Sequence, residues 1–209
     1  FVATKSNQKW VTDVTYVRTQ QGWAYLSTIK DLYDGFIVAH VFDRSNSIAL
    51  VTQTLKQAKQ KEKVTDGLIL HSDQGTQYTS QAYFVLTAEY NITPSMSRRA
   101  NCWDNAPMEN FFGHLKEEYS RQFKQTTFKD TQQLIDEYIY FYNYERIQLK
   151  TKQTPFETRC LSIWPAGAFF FCLAYRVQSI GNVLFCFRYN QEDYFFFLSS
   201  ASSSFLPRS

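Results

Sequence analysis

The sequence has few of the residues that mark special structural classes. Its four cysteines include no CxxC pair, and its three histidines do not complete a zinc-binding pattern, which excludes disulfide-rich and zinc-finger frameworks. Seven glycines and five prolines among 209 residues exclude a collagen-like or low-complexity chain. No apolar run reaches the roughly 20 residues of a membrane-spanning helix, and no signal-peptide pattern opens the chain. We therefore expect a protein of the reducing cytoplasm with no membrane partner.

The chain also has little excess of either sign of charge. The chain has 22 basic and 19 acidic residues, a formal net charge of +3, which is too weak to predict a nucleic-acid partner from composition. Hydrophobic residues make up 44% of the chain, and its length allows one full domain with a core of its own. Composition alone thus predicts a globular protein and no particular function.

A change in composition near residue 160 predicts two parts. Residues 161–209 contain nine of the 19 phenylalanines but five of the 41 charged residues, together with runs of Phe and Ser. We therefore expect a core over residues 1–159. The segment 160–209 is expected to be a tail that is poorly ordered or a product of translation past a frameshift.

Local patterns predict an alternation of strands and helices over the first part. Three short-linked strands, which suggest an antiparallel meander, are followed by strands alternating with helices. The strands are expected at Trp10–Arg18, Trp23–Ile29, Phe36–Phe42, Gly67–His71 and from Ile92. The helices are expected from a Ser45 cap to Lys61, from a Ser80 cap to Tyr90, from Asp104 or Asn105 to Phe123, and over Thr131–Tyr142. This order predicts an α/β fold with a mixed five-stranded sheet flanked by helices.

Three carboxylates stand at positions suited to one edge of such a sheet. Asp13 lies within a strand, Asp73 follows a buried strand, and Glu109 lies in the first turns of a helix. Together they would offer the oxygen ligands that Mg²⁺ and Mn²⁺ prefer. Taken singly, Asp13 also fits an edge position, Asp73 a turn, and Glu109 a favourable charge at a helix N-terminus.

Longer motifs around these acids resemble a known family. The stretches are WVTDVT at 10–15, HSDQGTQYTS at 71–80, SMSRRANCWDNAPMENFFGHLK at 95–116, and FYNYERIQ at 141–148 followed by Thr154-Pro155. They resemble the catalytic core of DDE insertion-sequence transposases, which are relatives of retroviral integrases. The 35 residues between Asp73 and Glu109 match the family's spacing.

The resemblance implies a ribonuclease-H-like fold and metal-dependent DNA cleavage and strand transfer, in DNA integration and recombination. Asp13, Asp73 and Glu109 carry over as catalytic residues and as ligands of Mg²⁺ or Mn²⁺, with two ions expected. DNA, both element ends and target, is the implied partner of a homo-multimer that would lie on the bacterial nucleoid.

Residues around the acids are candidate DNA contacts. Lys116 follows Glu109 by two helical turns, so both leave the same face, although a solvated helix lysine has the same pattern. Arg98 and Arg99 precede an amide and a tryptophan, a combination that suits phosphate and base contacts as well as a solvated loop. Asn105 either caps its helix or contacts DNA. Gln74 and Tyr78 flank Asp73 and complete the set of expected DNA contacts.

Two departures from the family leave alternatives open. Twelve residues precede Asp13, so the N-terminal DNA-recognition region usual in this family is not in the sequence, and recognition of element ends is expected to be weak. The tail after Arg159 does not match the family. The alternatives are a catalytically inert transposase remnant that binds DNA or a partner transposase, and a metal-dependent nuclease of the same fold.

Overall fold

The computed structural model of the chain describes residues 2–62, 67–97, 105–163, 184–189 and 192–197. It divides the chain into two compact units, Phe1–Ile163 and Trp164–Ser209. The first unit therefore extends four residues past the end expected for the core.

The first three strands form the expected antiparallel meander. They are β1 (Lys9–Thr19), β2 (Gly22–Asp31) and β3 (Ile37–Asp43). β1 pairs with β2 from Trp10↔Asp31 to Thr19↔Gly22. The turn between them needs a glycine, since Gly22 has a φ of 121° that other residues rarely adopt.

The middle of the chain adds two strands and two helices. They are α1 (Ile48–Lys61), β4 (Leu68–Ser72), α2 (Gln81–Glu89) and β5 (Ile92–Met96). The prediction of Ser80 as the α2 cap is confirmed, because its side chain accepts from the Tyr83 N–H. The prediction of Ser45 as the α1 cap was wrong. Ser47 accepts from the Leu50 N–H and stands next to the first residue of the helix.

Three further helices follow. They are α3 (Ala106–Phe123), α4 (Phe128–Tyr144) and α5 (Pro155–Ile163). α4 begins three residues before the predicted start, since the Thr127 side chain caps it by accepting from the Asp130 N–H. α5 was not predicted. It begins with a capping box, in which Thr154 and Glu157 each accept from the other's backbone N–H.

The strands form one mixed sheet with helices on both faces. The strand order is β3-β2-β1-β4-β5, with β4 parallel to both β1 and β5. On one face, Val11 and Val17 pack with Phe111, Leu115 and other apolar residues of α3 and α4. On the other face, Trp10 packs with residues of α1 and α2 such as Leu55. The predicted α/β fold, a mixed five-stranded sheet flanked by helices, is confirmed.

The second unit contains an antiparallel hairpin among its described residues. Its strands are β6 (Leu184–Tyr189) and β7 (Glu192–Phe197), paired from Leu184↔Phe197 to Tyr189↔Glu192. The sequence did not predict these strands. The rest of the expected tail beyond Ile163 lies outside the described residues.

Candidate active site

Asp13 and Asp73 are brought side by side by the parallel pairing of β1 with β4. The last pair of this ladder is Val11↔His71, and the two aspartates follow it by two residues in each segment. Residues two apart on a strand point to the same face, and neighbouring strands lie about 4.8 Å apart. Asp13 therefore leaves β1 on the same face as Val11, the α3 face. Asp73 directly follows the carboxyl end of β4, which is where parallel sheets commonly bind ligands.

Glu109 reaches this edge from the first turn of α3. Met108 and Phe111 are buried in the core, whereas Glu109 is exposed. The start of the helix is held by Lys30, whose Nζ lies 3.2 Å from the Pro107 carbonyl oxygen and donates to it. The first turn of α3 is thus held against β2, and the exposed Glu109 carboxylate projects from the same turn.

The three carboxylates share one electrostatic environment. The pKa of Asp13 is raised to about 6. Burial is the largest cause, and the negative charges of Asp73 and Glu109 also contribute. The backbone N–H of Val14, 2.7 Å from Asp13 Oδ1, acts in the opposite direction. Burial and the neighbouring carboxylates together therefore make the charged form of Asp13 unfavourable in this site.

Asn105 supports Asp13 from the N-cap position of α3. Its side chain makes no capping hydrogen bond, and instead its hydrogen bond to Asp13 lowers the pKa of that carboxyl group. Asn105 is buried, and its Oδ1 has no hydrogen-bond partner among the described residues. The Asn105 side chain therefore does not cap α3, as one expectation had it, and contacts Asp13. Its contact with DNA stays a prediction.

Asp73 is positioned by the turn that follows β4. The Gly75 N–H donates to Asp73 Oδ1 at 2.9 Å. The Gln74 side chain is exposed, and its Nε2 donates to the Ser97 carbonyl oxygen at 3.1 Å, which ties this turn to the end of β5. An added Cβ at Gly75 would lie 2.9 Å from Asp73 Oδ1 and 3.1 Å from Gln77 Oε1.

Gly75→Ala is therefore expected to displace the Asp73 carboxylate without disturbing the fold. The backbone at Gly75 is not in the left-handed region, so alanine brings no backbone strain. We expect thermal stability to change little, and the DNA cleavage that the family resemblance implies to fall about 100-fold, as for a catalytic group moved by about 1 Å.

Gly113→Ala is the matched control, since an added Cβ there meets no atom within 4 Å. It lies inside α3 and is expected to raise stability by about 0.5–1 kcal/mol and leave cleavage unchanged. Full activity in Gly75→Ala would show that the turn does not position Asp73.

The side chains of Tyr78 and His71 are buried in the protein interior. Tyr78 is 2% exposed, its hydroxyl lies 3.3 Å from Thr12 Oγ1, and burial holds its pKa well above the usual range. The structure thus buries a side chain that was expected to contact DNA, because α2 folds back over the sheet, and we do not retain it as a DNA contact. The two ring nitrogens of His71 each lie 3.0 Å from a serine hydroxyl, on Ser95 and Ser97.

Lys116 lies within electrostatic range of Asp13, and its contact with DNA stays a prediction. The side chain is half-buried, and burial lowers its pKa while the charge of Asp13 raises it. Its Nζ lies 4.3 Å from the centroid of the Tyr16 ring. The predicted DNA contacts Arg98 and Arg99 lie outside the described residues.

No group of three or more His, Cys, Asp or Glu side chains in the described part of the chain is arranged to hold a metal ion as it stands. The same part contains no helix that is long and apolar enough to cross a membrane.

Comparison with known proteins gives the family. Two family models, both described as integrase core domain, match residues 3–102 and 109–162. An uncharacterized transposase-like protein of Haemophilus influenzae is 44% identical over 154 residues, which are 73% of this chain and 70% of that protein. The chain belongs to the integrase core family of insertion-sequence transposases. A putative transposase of insertion element IS150 from Escherichia coli is 38% identical over 166 residues, 79% of this chain and 59% of the relative.

The fold of this integrase core is also that of a retroviral enzyme. The catalytic core domain of HTLV-2 integrase, in complex with magnesium in a trimeric form, superimposes with a TM-score of 0.60 at 15% identity. The match covers 75% of this chain and 99% of the viral domain. The predicted family and the ribonuclease-H-like architecture are confirmed.

Proposed function

We propose that this integrase core cleaves DNA and joins the freed end to a second DNA by metal-dependent transesterification. The observation that carries the proposal is the electrostatic coupling of Asp13, Asp73 and Glu109 at one edge of the sheet, where both Asp73 and Glu109 raise the pKa of Asp13. Such a cluster of like charges is costly for folding alone and is typical of catalytic sites.

The donor chemistry of the three side chains fits Mg²⁺ or Mn²⁺. All three offer hard carboxylate oxygens, and their unbalanced negative charge is what a divalent cation would neutralise. We propose that Asp13, Asp73 and Glu109 hold two such ions. When bound, the ions would lower the pKa of the attacking water and stabilise the leaving oxygen.

The protein groups around the acids position the reacting DNA strand. Asn105 orients the Asp13 carboxylate, and the Gly75 N–H orients that of Asp73. Lys116 offers a positive charge to the DNA backbone beside these acids, and the exposed Gln74 lies next to Asp73. In the first step water attacks the phosphorus and the P–O3′ bond breaks, which leaves a 3′-hydroxyl. In the second step that hydroxyl attacks a target phosphate, and one phosphodiester replaces another.

The partners follow from this reaction. We propose that the chain acts on element ends and target duplex as a homo-multimer, in the cytoplasm of a bacterium and on its nucleoid. The residues after Ile163 are proposed to form a unit separate from this catalytic core, in keeping with the division of the chain at that residue.

The test is a nicking and strand-transfer assay on duplex DNA with Mn²⁺ or Mg²⁺, comparing the wild type with Glu109→Gln. We expect metal-dependent cleavage to fall at least about 10³-fold in the variant, because one ligand carboxylate becomes a neutral amide. Glu117→Gln, an exposed glutamate on the same helix, is the matched control and should keep wild-type activity.

Other results would support other functions. Cleavage that depends on Glu109 but never joins ends would favour a nuclease of the same fold. No cleavage by well-folded wild-type protein with either metal would contradict the proposal and favour an inert remnant that binds DNA or another transposase.

A further inference from the structure

The β1–β2 hairpin carries two large aromatic side chains that the core does not cover. Tyr16 is 58% exposed and Trp23 53% exposed, and their rings meet edge to face with centroids 5.3 Å apart. Arg18 pairs with Trp23 across the hairpin, and its guanidinium carbon lies 5.2 Å from the centroid of the Trp23 ring. Burying such rings is favourable, so two adjacent exposed ones indicate a contact surface.

Cationic side chains surround these rings. Lys116 lies over the Tyr16 ring, and a groove of about 240 Å³ is lined by Tyr16, Val17, Arg18, Trp23, Lys116, Ser120, Phe123 and Lys124. None of these lining residues is acidic. The salt bridges within the described part of the chain do not involve Arg18, Lys116 or Lys124. This groove, which we name the Tyr16–Trp23 groove, therefore presents positive charge together with aromatic surface.

The Tyr16–Trp23 groove lies near Asp13, one of the three carboxylates. Tyr16 follows Asp13 by three residues on β1, about 10 Å along the strand, and leaves the opposite face of that strand. Lys116 joins the two regions, because it contacts the Tyr16 ring while the charge of Asp13 acts on its pKa. The ladder of β1 with β4 runs from Lys9↔Ile69 to Val11↔His71, so it ends before Tyr16 on that side of β1.

We propose that the Tyr16–Trp23 groove binds one unpaired nucleotide of the DNA strand held at the carboxylates. Its base would pack against the Tyr16 and Trp23 rings, and its phosphates would lie near Lys116, Arg18 and Lys124. Aromatic rings combined with a cationic track are how proteins bind single-stranded DNA, because every base offers a ring face. At about 240 Å³ the groove is smaller than drug-sized pockets, and it has room for a base but not for a duplex.

The inference rests on the proposed function for the identity of the nucleic acid, but the binding itself requires no metal or reaction. In duplex DNA the faces of the bases are stacked on one another and are not available to the rings. The groove should therefore distinguish unpaired from paired nucleotides. Frayed or unpaired nucleotides next to the cleaved phosphate are its expected ligands.

The experiment measures DNA binding by fluorescence anisotropy with the full chain in EDTA. Three labelled probes are used: a 12-nucleotide oligo-dT, a blunt duplex of the same length, and a 12-unit abasic strand that has the phosphates without bases. The variants are Tyr16→Ala, Trp23→Ala and Tyr16→Phe, with Tyr140→Ala as the control because Tyr140 is an exposed aromatic residue on α4. Thermal unfolding of each variant verifies that it is folded.

We expect Tyr16→Ala and Trp23→Ala each to weaken oligo-dT binding about 5-fold to 100-fold, the range for loss of one base–aromatic contact. Binding of the abasic strand and the duplex should change less than 2-fold. Tyr16→Phe keeps the ring and should bind like the wild type, as should Tyr140→Ala. Equal losses for all three probes would overturn the proposal and indicate simple phosphate binding, and unchanged oligo-dT binding would overturn it as well.

The two proposals fail separately. Oligo-dT binding is measured in EDTA and needs no cleavage, so its loss in Tyr16→Ala and Trp23→Ala would support the groove even if the wild type never cleaves DNA. Conversely, the wild type could cleave DNA with metal while oligo-dT binding does not depend on Tyr16 or Trp23. That result would overturn the groove proposal and leave the proposed function standing.

Discussion

Arg159→Ala is expected to lower the free energy of unfolding by about 3–5 kcal/mol, the cost of leaving buried charges without their partner. Arg159 is 6% exposed, and its guanidinium lies 2.8 Å from both Asp31 and Asp34 and also pairs with Glu62. Asp31 and Asp34 are themselves buried. Chemical denaturation at pH 7 measures the loss.

The Arg159 cluster joins parts of the chain that are distant in sequence. α5 supplies Arg159, the end of β2 supplies Asp31, the turn after β2 supplies Asp34, and the end of α1 supplies Glu62. The guanidinium also lies 4.4 Å from the centroid of the Phe36 ring. Because one planar group serves three carboxylates, Arg159→Lys should recover only part of the stability.

Arg146→Ala is the matched control. Arg146 pairs with Glu118 at the surface, where the two side chains are 26% and 37% exposed, and a pair of this kind contributes about 1 kcal/mol or less. Similar losses for Arg146→Ala and Arg159→Ala would contradict the assignment of Arg159 as a structural anchor.

The effect of Arg159→Ala should depend on pH. Burial and the charge of Asp34 raise the pKa of Asp31 to about 6, although Arg159 acts to lower it. Without the arginine that pKa rises further, so Asp31 takes up a proton more readily in the folded state than in the unfolded state. The folded variant therefore gains stability as the pH falls, and the destabilisation should shrink between pH 7 and pH 5.

Truncation gives a second test of the same anchor. A chain that ends at Ile163 keeps Arg159 and all of α5, and should match the full chain in the stability of its first unit. A chain that ends at Thr158 loses Arg159 and should be destabilised at least as much as Arg159→Ala. Equal stability of the two truncated chains would show that α5 is dispensable.

Asp13→Asn is expected to abolish cleavage and, without metal, to stabilise the protein. The pKa of Asp13 is raised to about 6 from an ordinary 3.8, so the charged form costs the folded state free energy at pH 7. Discounted for the partial exposure of the side chain, the gain is about 1–2 kcal/mol. An asparagine oxygen can still accept from the Val14 N–H, so the backbone contact is kept.

The pH dependence of this gain has a definite sign. Asp13 is more basic in the folded state than in the unfolded state, so its unfavourable contribution is complete above pH 6 and disappears as the pH falls from 6 to 4. The stability difference between Asp13→Asn and the wild type should therefore be largest at pH 7 to 8 and approach zero near pH 4. A difference that is constant over this range would contradict the raised pKa.

Divalent metal should reverse the order of stability. Mg²⁺ at 100 times its dissociation constant would stabilise the wild type by about 2.7 kcal/mol and leave Asp13→Asn unchanged. Asp43→Asn is the matched control, because Asp43 Oδ1 also accepts from the next residue's N–H but lies on β3 away from the site. It should show neither the gain in stability nor the loss of cleavage. Stabilisation of Asp13→Asn by Mg²⁺ equal to that of the wild type would show that Asp13 holds no metal.

The sequence predicted the elements whose signals are local. The alternation of apolar and polar residues in β1 predicts a strand, and the Ser80 cap predicts the start of α2. The α1 cap was assigned two residues too early because Ser45 and Ser47 are both good caps, and the contact with Leu50 decides between them. α5 was not predicted, since the helix has nine residues and a weak apolar pattern, and its capping box of Thr154 and Glu157 is a short signal.

The candidate site depended on the family motifs more than on pattern alone. Asp13, Asp73 and Glu109 each have an ordinary structural explanation, and only the matching motifs marked them together. The proximity of Asp13 and Asp73 follows from the parallel pairing of β1 with β4, which relates residues 60 positions apart and has no local signal.

The amino-acid sequence by itself predicted the order of strands and helices from β1 to α4 and the family, and it singled out the three acids as candidates, because these depend on short-range patterns and motifs. Tertiary structure alone decided which side chains are covered. In the folded protein Tyr78 is buried, whereas Tyr16 and Trp23 are exposed. Arg159, which the sequence shows only as one of several basic residues, is buried and hydrogen-bonded to Asp31. Burial depends on contacts between segments far apart along the chain, and a residue's neighbours in sequence do not contain that information.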